Sequence, residues 1–159
     1  MRNSNVNCSV ASHTVDAQSE RAATAGQNRW QKPQPGRYKC NIDATFSAQY
    51  NRTGIGMCLR DEHGAFVLAK TMSFSPMFPV ATGEVTCLLQ VMQWIHDIQF
   101  DNVDFVVDSK TTVDAFHSRQ TDVMEFSHII TACRDLFSTQ FTSFQVEFCP
   151  RQSNVLLVH

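Results

Sequence analysis

Residues 38–46 have the sequence YKCNIDATF, and this stretch decides the fold because it places one acidic side chain inside an apolar strand. Cys40, Ile42 and Phe46 surround Asp43, which lies in the middle of the predicted strand. A carboxylate in an apolar element is costly to bury unless it is paired or holds a cation. The stretch therefore predicts a strand that carries a functional acid.

Two later acids lie at the edges of similarly apolar elements. Glu84 begins a run with helical periodicity at 82–98, and Asp108 ends a strand-like run that starts at residue 103. Carboxylate oxygens suit Mg²⁺, and a metal pair can activate water and stabilise the leaving oxygen in phosphodiester hydrolysis. We therefore expect Asp43, Glu84 and Asp108 to converge on one catalytic site that holds Mg²⁺ or Mn²⁺.

Simpler explanations stay open for two of these acids. Thr82 can serve as a helix N-cap, which would place Glu84 in the first turn, where the helix dipole favours a carboxylate. Asp108 precedes Ser109, so it can be an ordinary residue at the start of a helix. Neither explanation covers Asp43.

The chain divides into a tail and one domain. Residues 1–35 are rich in Ser, Asn, Thr, Ala and Gln without periodicity, which is typical of a disordered or weakly helical tail or linker. Residues 36–159 are expected to form a single domain. Its predicted elements are strands at 37–46, 54–60, 65–73, 103–107 and 144–149, and helices at 82–98, 110–117 and about 122–137.

This order predicts an α/β fold with a mixed five-stranded sheet, in which three antiparallel meander strands precede parallel strands and helices flank the sheet. The run 103–107 is apolar enough to be a central strand, buried on both faces and parallel to a neighbour. Ligands of such sheets bind at the carboxyl ends of the strands. Asp108 lies at such an end, and Asp43 faces it if the first strand lies beside the fourth.

The net charge argues against a tight autonomous nucleic-acid binder. The chain has 13 basic and 15 acidic residues, for a net charge of −2, whereas such binders usually carry a basic stripe. The charge does not exclude an enzyme whose acids are neutralised by metal. Lys110, Arg119, Arg134 and Arg151 are scattered, so any grip on a nucleic acid is expected to be weak.

The cysteines and apolar runs indicate a location inside the cell. The six cysteines have neither zinc-finger nor C-x-x-C spacing, which argues against zinc. Those in apolar runs are expected to be buried free thiols in a reducing compartment: Cys40, Cys58, Cys87 and Cys149. The N-terminus lacks a signal-peptide core, and no run reaches the ~18 apolar residues of a membrane span. We expect a protein of the nucleus or cytoplasm, without a membrane partner.

Four segments together resemble the ribonuclease H-like domain that accompanies reverse transcriptases and is abundant in plants as retroelement-derived genes. They are KCNIDAT, GIGMCLRDEHG, GEVTCLL and VDSK, in the order and approximate spacing of that family, and the resemblance spans residues 30 to about 154. It implies a ribonuclease H fold that binds RNA–DNA hybrids and hydrolyses their RNA strand with a divalent metal. By motif, it places Asp43, Glu84 and Asp108 on three of the metal-binding carboxylates.

The sequence departs from this family in two places. Active members carry a fourth acid in a final helix, after a pattern like R-x-x-N-x-x-A-D. Here RQSN at 151–154 is followed by VLLVH, with Val158 at the position of the acid, so the last helix is expected to be truncated and to leave Phe and Leu surface uncovered. Ala44 stands where many active members have glycine.

These departures leave three alternatives. The protein is a hybrid-specific ribonuclease, or a catalytically degenerate scaffold that acts as a weak nucleic-acid or protein interaction module. The third alternative is a truncated product of marginal stability.

Overall fold

The computed structural model describes residues 29–118 and 126–151. Its elements follow the predicted order, and the described residues from Gln31 onward belong to one compact unit. The division into a tail and a domain near residue 35 stays a prediction, since residues 1–28 lie outside the described part. The elements are β1 (Tyr38–Ser47), β2 (Arg52–Arg60), β3 (Phe66–Phe74), α1 (Val80–Asp97), β4 (Val103–Val107), α2 (Lys110–His117), α3 (Ser127–Gln140) and β5 (Phe144–Phe148).

The five strands form one mixed sheet in the order β3-β2-β1-β4-β5. β1 pairs antiparallel with β2, and β2 pairs antiparallel with β3. β4 lies parallel between β1 and β5. This arrangement confirms both the mixed sheet and the expected placement of the first strand beside the fourth.

β4 is buried along its whole length, as its apolar residues predict. It also contains one buried acid, Asp104, which the prediction of a uniformly apolar strand did not take into account. Asp104 Oδ1 accepts a hydrogen bond from Arg37 Nε at 2.9 Å. This ion pair neutralises Asp104, so the acid in the centre of β4 belongs to the framework of the sheet.

A single hydrophobic core joins the helices to alternate residues of the sheet. In β1 these residues are Cys40, Ile42 and Ala44, each almost completely buried. Successive side chains of a strand point to opposite faces, which explains the alternation. The helices contribute further buried residues to this core, including Val85, Leu88, Val91, Met92, Ile95, Val113, Phe116, Ile130, Cys133 and Phe137.

The beginning of α1 differs from the prediction. The helix begins at Val80, after Pro79 at the N-cap position, so Thr82 is not the N-cap. The Thr82 carbonyl accepts a hydrogen bond from Thr86 Oγ1 at 2.7 Å and lies inside the helix. The fixed φ of proline suits the residue that precedes or opens a helix. This preference explains why the helix begins directly after Pro79, earlier than predicted.

The caps and turns elsewhere follow the sequence signals. Ser109 caps α2, because its hydroxyl accepts a hydrogen bond from the Thr112 N–H at 3.3 Å. Between β2 and β3, Asp61 Oδ1 accepts hydrogen bonds from the N–H groups of His63 and Ala65, both at 2.9 Å. Gly64 completes this tight turn with a φ of 80°.

The cysteines of the described residues are free and buried: Cys40, Cys58, Cys87, Cys133 and Cys149. No described helix has the length and apolar character that a membrane crossing requires. Among the described residues, the exposed large apolar side chains are Tyr50, Phe66, Val80 and Phe148. The expected truncation of the last helix concerns residues 152–159, and the predicted start of α3 near residue 122 falls within 119–125; both lie outside the described part.

Candidate functional site

Asp43 on β1 and Asp108, which directly follows β4, occupy equivalent positions relative to the pairing of these two parallel strands. The β1–β4 ladder ends with the pair Asn41 and Val106. Each acid lies two residues beyond that pair, so both stand at the carboxyl end of the ladder. The side chain of Asp108 is 7% exposed and that of Asp43 is 35% exposed, so Asp108 forms the inner wall of the site.

The guanidinium of Arg151 bridges these two acids. Arg151 Nε donates to Asp108 Oδ2 at 2.7 Å, and Arg151 Nη2 donates to Asp43 Oδ1 at 3.2 Å. The same Nη2 donates to the Ala44 carbonyl at 3.1 Å. The hydrogen bond and charge of Asp108, followed by the charge of Asp43, raise the pKa of Arg151. Both acids therefore converge on one cation.

Glu84 lies on α1 and interacts electrostatically with the same groups. It is the fifth residue of the helix, and the first turn of α1 contains no acid, so neither capping nor the helix dipole accounts for this carboxylate. Burial raises the pKa of Glu84 to about 7; the charges of Asp108 and Asp43 also raise it, whereas Arg151 lowers it. The pKa of Asp43 is likewise raised, first by burial, with Arg151 opposing and Asp108 adding to the shift.

Gly83 allows the beginning of α1 to approach β1. A Cβ at position 83 would overlap the ring of Phe46 and would lie 3.3 Å from Phe78 Cβ. Phe46 is on β1, three residues beyond Asp43, and Glu84 follows Gly83 directly. The missing side chain therefore sets how closely Glu84 can approach the strand that carries Asp43.

The three acids match a divalent cation in donor chemistry, because Mg²⁺ and Mn²⁺ prefer carboxylate oxygens. Within residues 29–118 and 126–151, no three His, Cys, Asp or Glu side chains are grouped closely enough to hold a metal ion. Asp43 and Asp108 contact the guanidinium at 3.2 and 2.7 Å, whereas Mg²⁺ requires ligands at about 2.1 Å. The metal-ligand role of Asp43, Glu84 and Asp108 thus stays a prediction.

Arg151 is the residue of the site that sequence reasoning missed. It counted as one of four scattered basic residues, although the RQSN segment at 151–154 was noted for its resemblance to a family motif. Of the other three basic residues, Lys110 and Arg134 make local contacts in the structure. Lys110 pairs with Asp114 at 2.7 Å, and Arg134 Nε donates to the Phe116 carbonyl at 2.9 Å.

An open cavity of about 570 Å³ lies beside the C-terminal half of β1. Thr45, one of its lining residues, lies two positions beyond Asp43 on the same strand, so their side chains project from the same face about 7 Å apart. The lining combines hydroxyl groups, one guanidinium and one aromatic ring: Thr45, Ser47, Tyr50, Arg52, Gly54 and Ser73. These are groups that can bind the phosphates and sugars of a nucleic acid.

The fold is that of the ribonucleases H. RNase H1 from the archaeon Halobacterium salinarum superposes with a TM-score of 0.65 at 17% identity, covering 75% of this chain and 89% of that one. The N-terminal RNase H domain of a Mycobacterium tuberculosis protein gives 0.63 at 15% identity, covering 74% and 85%. LC11-RNase H1 in complex with an RNA/DNA hybrid gives 0.63 at 12% identity, covering 75% and 89%. At these identities the likeness concerns the fold alone.

The chain belongs to the reverse transcriptase-like family, which it matches over residues 41–156. No curated protein sequence matches the chain. The matched segment contains Asp43, Glu84, Asp108 and Arg151. The family and the fold therefore place the candidate site within a ribonuclease H-like domain.

Proposed function

We propose that this protein is a ribonuclease H-type endonuclease that hydrolyses the RNA strand of RNA–DNA hybrids with Mg²⁺ or Mn²⁺. The observation that carries the proposal is the convergence of Asp43 and Asp108 at the carboxyl end of the β1–β4 ladder. The charges of both acids act on the half-buried Glu84 of α1. One protein with this fold was solved with an RNA/DNA hybrid, which supports the same substrate class here.

Each acid has a distinct position relative to the metal and to solvent. Asp108 is nearly buried, so it would be a fixed ligand, whereas the more exposed Asp43 would lie on the side open to substrate. Glu84 would complete the set from α1. A bound divalent ion would supply an activated water and charge stabilisation at the leaving oxygen in phosphodiester hydrolysis.

The cavity lined by Thr45 and Arg52 supports the choice of a nucleic acid as the substrate. The Arg52 guanidinium can form bidentate hydrogen bonds to a phosphate, and the Thr45, Ser47 and Ser73 hydroxyls can donate to phosphate or sugar oxygens. Tyr50 is 69% exposed and offers a ring for stacking on a base or sugar. With a net charge of −2, the affinity for a hybrid should be modest.

We also propose that the protein descends from the retroelement-derived branch found in plants and that it acts in the nucleus or the cytoplasm. The order of the four segments KCNIDAT, GIGMCLRDEHG, GEVTCLL and VDSK supports the first proposal. The buried free thiols of the described residues support a reducing compartment.

A cleavage assay on a labelled RNA–DNA hybrid tests the proposed activity. We expect cleavage of the RNA strand that requires Mg²⁺ or Mn²⁺ and falls at least about a hundredfold in Asp43→Asn and in Asp108→Asn, because each loses a charged metal ligand. Asp114→Asn is the matched control, since Asp114 is an exposed acid that pairs with Lys110. Intact RNA with both metals, from protein that is folded by circular dichroism, would overturn the proposal. Hybrid binding without cleavage would then indicate a scaffold.

A further inference from the structure

We propose that Arg151 is an internal counter-ion of the acidic site, which holds Asp43 and Asp108 in the metal-free protein and is displaced when a divalent ion binds. The inference rests on the proposed function, because it assumes that these acids are the metal ligands. It adds that a side chain of the same protein, Arg151, competes with the metal ion for these carboxylates.

Arg151 contacts both aspartates in the way expected of a counter-ion. Its guanidinium reaches one oxygen of each acid, Asp108 Oδ2 at 2.7 Å and Asp43 Oδ1 at 3.2 Å. It is also anchored to the backbone by the Ala44 carbonyl at 3.1 Å. A planar guanidinium with several fixed N–H groups is suited to bridge two carboxylates in this way.

Electrostatics explains why such a cation is needed. The charge of Asp108 raises the pKa of Asp43, and the charges of both aspartates raise the pKa of Glu84. Asp108 itself is nearly buried. Clustered carboxylates without a cation repel one another, which destabilises the fold. One positive charge in contact with two of them reduces this repulsion, so Arg151 can keep the site assembled without metal.

The same electrostatics makes Arg151 and the metal alternatives. A divalent ion on Asp43 and Asp108 would lie within a few ångströms of the guanidinium, and two cations at that distance repel each other strongly. The Arg151 side chain is 66% exposed, so it can turn into solvent without leaving a cavity. Metal binding therefore has to replace the contacts of Arg151, which lowers the apparent metal affinity of the intact protein.

Direct measurement of Mn²⁺ binding tests this inference without any catalytic readout. The intact protein and its Arg151→Gln variant are titrated with Mn²⁺, and free Mn²⁺ is followed by electron paramagnetic resonance. Because the variant lacks the competing charge-assisted hydrogen bonds, we expect about tenfold tighter Mn²⁺ binding. Lys110→Gln is the matched control: it removes one positive charge two residues from Asp108 but leaves the bridge intact, and it should change the affinity less than about twofold.

A second readout concerns the metal-free protein. In EDTA, Arg151→Gln should melt at a lower temperature than the original protein. Saturating Mn²⁺ should then raise the melting temperature of Arg151→Gln by more than it raises that of the original protein. If the Gln variant does not fold, Arg151→Lys keeps the charge without the planar fork and should bind Mn²⁺ with intermediate affinity.

The outcomes separate this inference from the proposed function. Equal or weaker Mn²⁺ binding by the folded Arg151 variants, beside clear binding by the original protein, would overturn the counter-ion and leave the metal site standing. Absence of Mn²⁺ binding in every variant would overturn both. Tighter binding in Arg151→Gln alone would support the inference.

Discussion

Asp43 and Asp108 stand side by side because each lies two residues beyond the last pair of one parallel ladder, Asn41 and Val106. Neither strand forms the candidate site by itself, since Asp43 comes from β1 and Asp108 from the residue after β4. The register of β1 on β4 sets the spacing of the two carboxylates, and α1 adds Glu84 from outside the sheet. The geometry of the site is thus a property of strand pairing, and it can be tested through the framework as well as through the acids.

The close approach of α1 to β1 should depend on the missing side chain at Gly83. Gly83→Ala would place a Cβ against the ring of Phe46, and we expect a loss of about 1–3 kcal/mol in the free energy of unfolding from overpacking. Urea denaturation measures the loss. In Phe46→Leu the same Gly83→Ala change should cost less, because the ring is gone. Equal costs in the two backgrounds would show that the contact is not limiting.

The buried pair of Arg37 and Asp104 should be structural. Arg37→Met would leave Asp104, whose side chain is 5% exposed, without its cation, and we expect a loss of about 3–5 kcal/mol in the free energy of unfolding. Asp104→Leu added to this variant should recover most of the loss, since no unpaired buried charge then remains. Chemical denaturation of the single and double variants makes the comparison. A double variant as unstable as Arg37→Met would contradict this account.

Asp101 provides a dependence of stability on pH that is separate from the acidic site. Burial alone would raise its pKa, but hydrogen bonds from Thr142, Asn102 and Ser143 outweigh burial and lower it. A lowered carboxyl pKa contributes stability above the unfolded value of 3.8, and this contribution is lost as the pH falls through the folded value.

Asp101→Asn should therefore cost about 0.5–1 kcal/mol at pH 7, a small value because Asp101 is largely solvated. The difference from the original protein should shrink once the pH falls below 3.8. Thermal melts across pH 3 to 7 measure it, with Asp135→Asn as a control on α3. A difference that stays constant with pH would show that the charge of Asp101 is not responsible.

Arg52 should contribute to the affinity for the hybrid without affecting metal binding. It lines the same cavity as Thr45, so Arg52→Gln should weaken hybrid binding several-fold and reduce the salt slope by about one unit, as expected for one lost phosphate contact. Fluorescence anisotropy at several salt concentrations, in Ca²⁺ to prevent cleavage, measures both. Lys70→Gln is the charge-matched control, since Lys70 lies over the Trp94 ring. If Arg52→Gln binds the hybrid with unchanged affinity, the cavity does not bind the phosphate backbone of the hybrid.

The sequence was sufficient for the architecture because the signals involved are local. The apolar residues around Asp43 marked β1, the apolar run marked β4, and the hydroxyl of Ser109 marked the start of α2. Placement of Asp43 near Asp108 followed from one further rule, that ligands of such sheets bind at the carboxyl ends of strands.

Features that depend on distant pairings were not predictable in the same way. Arg151 is far from Asp43 and Asp108 in sequence, and no local pattern indicates that its guanidinium would bridge them. Asp104 was hidden in an apolar run because its partner, Arg37, lies on the segment before β1. The N-cap of α1 was misplaced because Pro79 competes with Thr82 for the start of the helix.

The parallel pairing of β1 with β4 also sets a time order during synthesis. Asp43 emerges from the ribosome with the first strand, but its partner acid follows only after β2, β3 and the whole of α1 have been made. Arg151 emerges later still, after β5. A nascent chain that has not yet released β4 therefore has no assembled acidic site, and the guanidinium of Arg151 can join that site only after β5 has been made.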